Sequence, residues 1–156
     1  MSDNVKITDH TAEYFKEFDA GLEAALEAIG AHIEGEAKEI LTNRSMPHKT
    51  QGKAGEPTSR PNIDTGLLRN SITYALDGEA PHEATYKADK GGTSGHYSGT
   101  APKDGIMGHS RSVYIGTNVE YAPYIHEGTS KIPPNRFLKD AVEMNKDQIM
   151  QKLKNL

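Results

Sequence analysis

The sequence contains no cysteine and no tryptophan, and only three of its 156 residues are phenylalanine. Without cysteine there are no disulfides, no thiol nucleophiles and no zinc–cysteine sites. No apolar run approaches the ~18 residues that a membrane-spanning helix needs. No basic-then-apolar signal segment follows Met1, so cytosolic synthesis and no membrane partner are expected. A large net charge of either sign is missing as well: the formal value is −4. A generic nucleic-acid binder shows a basic excess, and a wholly disordered chain shows a larger imbalance.

Large aliphatic residues are scarce, but only locally. Leu, Ile, Val and Phe total 27, and residues 42–62 and 77–105 contain none of them. The other 106 residues hold all 27, an ordinary density for a globular domain. A chain of this length can bury ~70% of its unfolded surface. The expectation is a single domain over 1–156, with a compact core and two long polar loops at about 42–62 and 77–111.

Charge is uneven. Residues 9–41 carry nine acids and two bases, whereas residues 131–156 carry six bases and three acids. Two readings fit: solvated helix faces, or acidic and basic surfaces that meet between copies.

Phe15, Phe18, Leu22, Leu26, Ile29, Ile33, Ala37 and Ile40 recur at steps of three or four. That spacing predicts one amphipathic helix over 11–41, with Asp9 or Thr11 as cap. At ~1.5 Å per residue it is about 45 Å long, so it bends or extends onto a neighbour. Pro47, Pro57 and Pro61 with Gly52 and Gly55 argue against a regular element in 42–62. A short helix follows Asp64-Thr65. Strands are expected near Ile72–Leu76 and Ser112–Thr117, paired antiparallel so that 77–111 is an overgrown hairpin tip. A final helix is expected from Asn135 to Lys154, with Asn145 interrupting its stripe. The fold class is therefore α+β: a long N-terminal helix and a C-terminal helix on a small antiparallel sheet.

Few constellations suggest chemistry. Asp64-Thr65-Gly66 has the form of an aspartic-protease turn, and a half-sized protease would pair two such turns in a dimer. Those enzymes are nearly all-β and set an apolar strand before the Asp, whereas here Arg60-Pro61-Asn62 precedes Ile63. Helix capping explains the same residues without catalysis. The seven histidines show no His-x-x-x-His or His-x-His spacing and read as surface residues. His126-Glu127 is an acid/base pair on paper, but neighbours point apart on a helix or a strand. Glycine-rich 91–108 lacks the spacing of a phosphate loop. Lys87, Lys90, Lys103 and Arg111, with Tyr86 and Tyr97, could touch a nucleic-acid backbone, although Asp89 and Asp104 dilute that charge. No catalytic residue, metal or cofactor is assigned.

Two stretches resemble a known family. The first runs from Gly55 to Ile72 through Asp64-Thr65-Gly66-Leu67-Leu68-Arg69-Asn70-Ser71-Ile72. The second is Val113 to Thr129, with Gly116, Tyr121-Ala122 and Glu127-Gly128-Thr129, followed by Pro133-Pro134-Asn135-Arg136-Phe137-Leu138. In order, spacing and flanking helices they resemble the neck, or tail-completion, proteins of long-tailed double-stranded DNA bacteriophages. Local differences are His126 and the length of 77–111.

The resemblance implies a non-enzymatic virion protein, assembled in the host cytoplasm, that forms a ring at the head–tail junction. Six copies are implied, with twelve as the alternative. Implied partners are head-closure or adaptor proteins on the portal side and the tail terminator or tail tube protein, with double-stranded DNA crossing the lumen without sequence readout. A tail terminator or minor tail protein is the alternative within the virion; a dimeric protease using Asp64 and a nucleic-acid-binding module are the alternatives outside it.

Structural roles follow as expectations. Gly66 and Gly116 would permit close approach or unusual turns. Tyr121, Ala122 and Tyr124 would pack the strand exit on the helices. Gly128-Thr129 would turn the chain, and Phe137 and Leu138 would anchor the last helix. Partner or lumen contacts are expected at the loop tips: Lys49, Lys53 and Arg60 on the first, and Lys87, Lys90, Tyr97, Lys103 and Arg111 on the second. Acidic residues facing the lumen would repel DNA and let it slide.

Overall fold

The computed structural model describes residues 8–43, 45–49, 57–61, 66–103, 111–131 and 133–156, with 45–49 and 57–61 described as backbone only. The architecture is α+β. Helix α1 (Thr11–Asn43) leads into a ladder of β1 (Ser45–Lys49) and β2 (Pro57–Pro61). Helix α2 (Leu67–Ser71) precedes β3 (Thr73–Leu76), and a short hairpin of β4 (Thr85–Lys87) and β5 (Ser94–His96) follows. Strand β6 (Val113–Gly116) then leads to helices α3 (Ala122–Glu127), α4 (Phe137–Met144) and α5 (Lys146–Lys154). Among the described residues the strands form three separate two-stranded antiparallel ladders. No helix among the described residues is long and apolar enough to cross a membrane.

Asp9 caps α1: its Oδ1 accepts the Thr11 backbone N–H at 2.9 Å and also the Thr11 hydroxyl. Those two bonds, the hydroxyl's foremost, hold the Asp9 carboxyl below its ordinary range. The helix then lays its stripe on the core. Ile29, Ile33, Ala37, Ile40 and Leu41 are buried with Leu68, Ile72, Ala122, Phe137 and Ala141. Where α1 crosses the β3–β6 ladder it carries Gly30. A Cβ there would lie 2.5 Å from the Tyr74 ring and 2.8 Å from Val113, so glycine sets how closely helix and sheet approach.

The β3–β6 pairing matches the expected hairpin, with Thr73 opposite Gly116 and Leu76 opposite Val113. Three expectations need correction. Residues 42–62 are not devoid of regular structure. In the β1–β2 register Pro47, Pro57 and Pro61 all fall in one alternate set of pairs, opposite Ser59, Lys49 and Ser45. Met46–Arg60 and His48–Thr58 are left to supply the N–H donors, which is how a two-stranded ribbon tolerates proline. The stretch 77–111 is not simply a loop, because β4–β5 folds inside it. The last helix is two helices. Asn145 is buried, its amide donates to the Ala141 carbonyl at 2.8 Å, and its Oδ1 bonds His32 Nε2 at 3.0 Å. A side chain that competes for a backbone carbonyl ends α4 there. His32, expected at the surface, is half-buried in that contact.

Candidate functional site

The first motif segment is a clamp. Gly66 precedes α2 in the left-handed region, φ 79°, and a Cβ on it would overlap the Asp89 carboxylate, so both its backbone and its contact require glycine. Asp64 and Thr65, the expected caps, lie outside the described residues. Leu67 is half-buried and Ile72 fully buried. Arg69 pairs with Asp89, and Asn70 donates to the Lys87 carbonyl at 2.7 Å and to Asp89 Oδ1 at 2.9 Å. The two residues hold the turn of the β4–β5 hairpin against α2. Ser71 Oγ donates to the Leu68 carbonyl at 2.6 Å and shares a 2.5 Å hydrogen bond with Thr117 Oγ1. That bond joins the two motif segments.

The second segment grips the other side of the hairpin. Asn118 donates to the His96 carbonyl at 2.9 Å and accepts the Tyr86 hydroxyl at 2.5 Å. Tyr86 is buried, and the Tyr97 ring lies tilted against it with centroids 5.1 Å apart. Tyr97 therefore faces the body of its own chain, which corrects its expected role as a partner contact. Burial pushes its phenol up from its ordinary value.

Further along, Ala122 is buried, but Tyr121, just before the short α3, and Tyr124 on it are exposed, correcting the expectation that they pack inside. Gly116 takes no left-handed φ, and a Cβ there would meet nothing within 4 Å, so neither reason expected for glycine applies. Gly128 does need its residue type, with φ 80° after α3. Thr129 accepts the Lys131 N–H at 3.2 Å, closing the turn. Pro134 is exposed, Phe137 is fully buried and Leu138 packs on the core.

His126 and Glu127 do not point apart. His126 Nδ1 lies 2.8 Å from Glu127 Oε1, and Nε2 accepts the Lys139 backbone N–H at 3.3 Å. The proton therefore sits on Nδ1. The ring caps the first turn of α4, which has no cap from its own Arg136 side chain. It also meets Phe137 edge-on at 5.2 Å. The His126 hydrogen bond, aided by the Arg136 and Lys139 charges, holds the Glu127 carboxyl below its ordinary range. With both ring nitrogens engaged, the pair is a structural tie. A groove of about 540 Å³ opens beside it, lined by Gly116, Val119, Ala122, Pro123, Phe137 and Leu138 among others. A second groove of about 250 Å³ lies along Thr73, Ala75, Tyr97 and Tyr114. Among the described residues, no three His, Asp or Glu side chains group as a metal would require.

The expected partner contacts divide. Arg111 is exposed but tied to its own chain: its Nη2 lies 3.5 Å from Asp19 Oδ1 on α1, and its backbone N–H bonds Asp77. Lys87, Lys90 and Lys103 are exposed. Lys49 and Arg60 are placed only as register positions on β1 and β2, and Lys53 lies outside the described residues.

What the sequence reading missed is how far α1 outruns its cover. Asn145 meets His32 at the start of α5, and Leu156 lies 3.8 Å from a Cβ built on Gly21 at its end. α5 thus runs antiparallel along α1 from His32 to Gly21. The ten residues Thr11–Ala20, roughly 15 Å of helix, extend beyond it. Phe15 and Phe18 continue the buried stripe in register yet are exposed, Phe15 by 56% and Tyr14 beside it by 65%. The signal was the stripe's own length against the shorter C-terminal helix. Comparison with protein-family models, with curated proteins and with solved structures gives no match for this chain.

Proposed function

We propose that the chain is a structural component of a phage virion, forming a ring at the head–tail junction between the head-closure proteins and the tail. The observation that carries this reading is the N-terminal end of α1. Its apolar stripe continues past the core with Tyr14, Phe15 and Phe18 exposed, although Asp19 beside them is buried and paired with Arg111 of the same chain. Scattered exposed apolar residues are ordinary, but a contiguous apolar face on a monomer marks an interaction surface. The motif residues support the same reading. Arg69, Asn70, Ser71, Thr117 and Asn118 tie the framework together, and the His126–Glu127 pair caps a helix. These are the properties of a subunit that must keep its shape while its surfaces bind.

A heterologous contact repeated about an axis closes into a ring; six copies follow the family pattern, and twelve is the alternative. The net charge of −4 suits a lumen that lets double-stranded DNA pass without holding it. The test is mass by light scattering, on the protein alone and mixed with the portal and head-closure proteins. A ring that forms on mixing supports a neck protein. A ring that forms only on tail tubes favours the tail terminator. A dimer indifferent to all of them, with peptidase activity lost in Asp64→Asn, overturns the structural reading.

A further inference from the structure

The bare end of α1 has a chemically matched surface elsewhere on the same chain. On α1, Tyr14 and Phe18 stand four residues apart, flanked by Glu13 and Glu17, also four apart; all four are exposed. Residues 9–20 hold Asp9, Glu13, Glu17 and Asp19 against Lys16, a net charge of −3. On the outer side of α4 and α5, Val142, Lys146, Met150 and Lys154 recur at steps of four, alternately apolar and basic, and all are exposed. Met144 beside them is 68% exposed. Residues 131–156 carry a net charge of +3. The inner side of the same helices is already spent on α1 of its own chain, through Ala141, Ile149 and Leu153.

We infer that the α1 overhang of one copy docks on the outer α4–α5 face of a second copy. Tyr14, Phe15 and Phe18 lie against Val142, Met144 and Met150, and Glu13 and Glu17 face Lys146 and Lys154. Within one chain Leu156, just after α5, packs at Gly21, and Tyr14, Phe15 and Phe18 beyond that point stay exposed. The contact joins two different surfaces, so each copy keeps one of each open for the next. It is therefore heterologous and propagates to a closed ring or a filament. Apolar anchors supply affinity, and the opposed charges set which surfaces meet. The inference rests on the ring reading and names the surfaces that build the ring.

The cysteine-free sequence makes the test direct. Phe15→Cys and Met150→Cys chains are mixed at equal, high concentration and oxidised. The expected result is an excess of the mixed Phe15→Cys/Met150→Cys disulfide dimer over the half share that random pairing gives. Adding Lys146→Glu and Lys154→Glu to the Met150→Cys chain removes the excess, and adding Glu13→Lys and Glu17→Lys to its partner restores it. Random proportions, or an excess of Phe15→Cys homodimer, overturn the inference. Should the wild-type protein still form rings with its phage partners in that event, only the choice of surfaces fails. Should it form none, the ring reading fails too.

Discussion

The hairpin inside 77–103 and the first ten residues of α1 exchange the roles that composition assigns them. The hairpin stretch holds no Leu, Ile, Val or Phe, yet β4–β5 folds home and buries Tyr86. The start of α1 offers Tyr14, Phe15 and Phe18 on an amphipathic helix and leaves these three rings exposed. Mean hydropathy decides neither case. Specific anchors decide the hairpin, with Arg69 and Asn70 at its turn and Asn118 at its base. Reach decides the helix, because α5 packs along α1 between His32 and Gly21 and Tyr14, Phe15 and Phe18 lie beyond that contact. A segment is buried when something on its own chain reaches it.

The comparison can be broken at its strongest point. Tyr86→Ala removes a buried ring together with its hydrogen bond to Asn118. It should cost the isolated chain roughly 3–5 kcal/mol, by analogy with other large-to-small aromatic substitutions. Phe15→Ala, an equally aromatic loss on the bare end, should stay within about 0.5 kcal/mol. Urea unfolding of the two variants side by side decides this. Comparable costs would mean that the α1 end is covered within the chain.

Gly95→Ala sharpens the same point. A Cβ at Gly95 would lie 2.3 Å from the Tyr86 ring, which sits opposite it in the ladder and is locked by Asn118. The expected loss is about 1–3 kcal/mol of overpacking, read as a lower thermal midpoint. Arg69→Ala breaks a pair in which Asp89 is about half exposed. It should cost less, up to about 1 kcal/mol, with faster amide exchange confined to 85–97.

The smallest effect is a pH dependence. Burial raises the Tyr97 phenol above its ordinary value. The neutral form is therefore favoured by folding. Its contribution is fully present below the unfolded value near 10, and is lost as pH rises through the higher folded value. Stability should fall more steeply above pH ~10 in the wild type than in Tyr97→Phe, measured by denaturation along an alkaline series.

Much of this fold is legible in the sequence. The α1 stripe and its acidic cap are, and so is the antiparallel match of 72–76 with 112–117, because each rests on a local period. The interruption at Asn145 was visible as a polar residue in an apolar row. That it splits the helix depends on His32, 113 residues away. The β1–β2 ladder was hidden by its prolines, which exclude strands only when they fall on hydrogen-bonding positions. Three-residue strands such as β4 and β5 carry no period at all, and only Tyr86 and Tyr97 hinted that the stretch had an inner side. The candidate site was legible as residue types and not as contacts. Ser71 with Thr117, and Arg111 with Asp19, meet across 46 and 92 residues. The His126–Glu127 bond forms in the last turn of α3, where Gly128 ends the helix.

The central claim is that the bare end of α1 holds copies together rather than stabilising its own chain. Sedimentation velocity on the wild type and on Phe15→Ser/Phe18→Ser, each with the portal and head-closure proteins, tests it most directly when the unfolding curves of both are measured in parallel. The account predicts a ring for the wild type, a monomer for the variant, and closely matching unfolding curves. A variant that assembles as fully as the wild type, or one that unfolds several kcal/mol earlier, would contradict it.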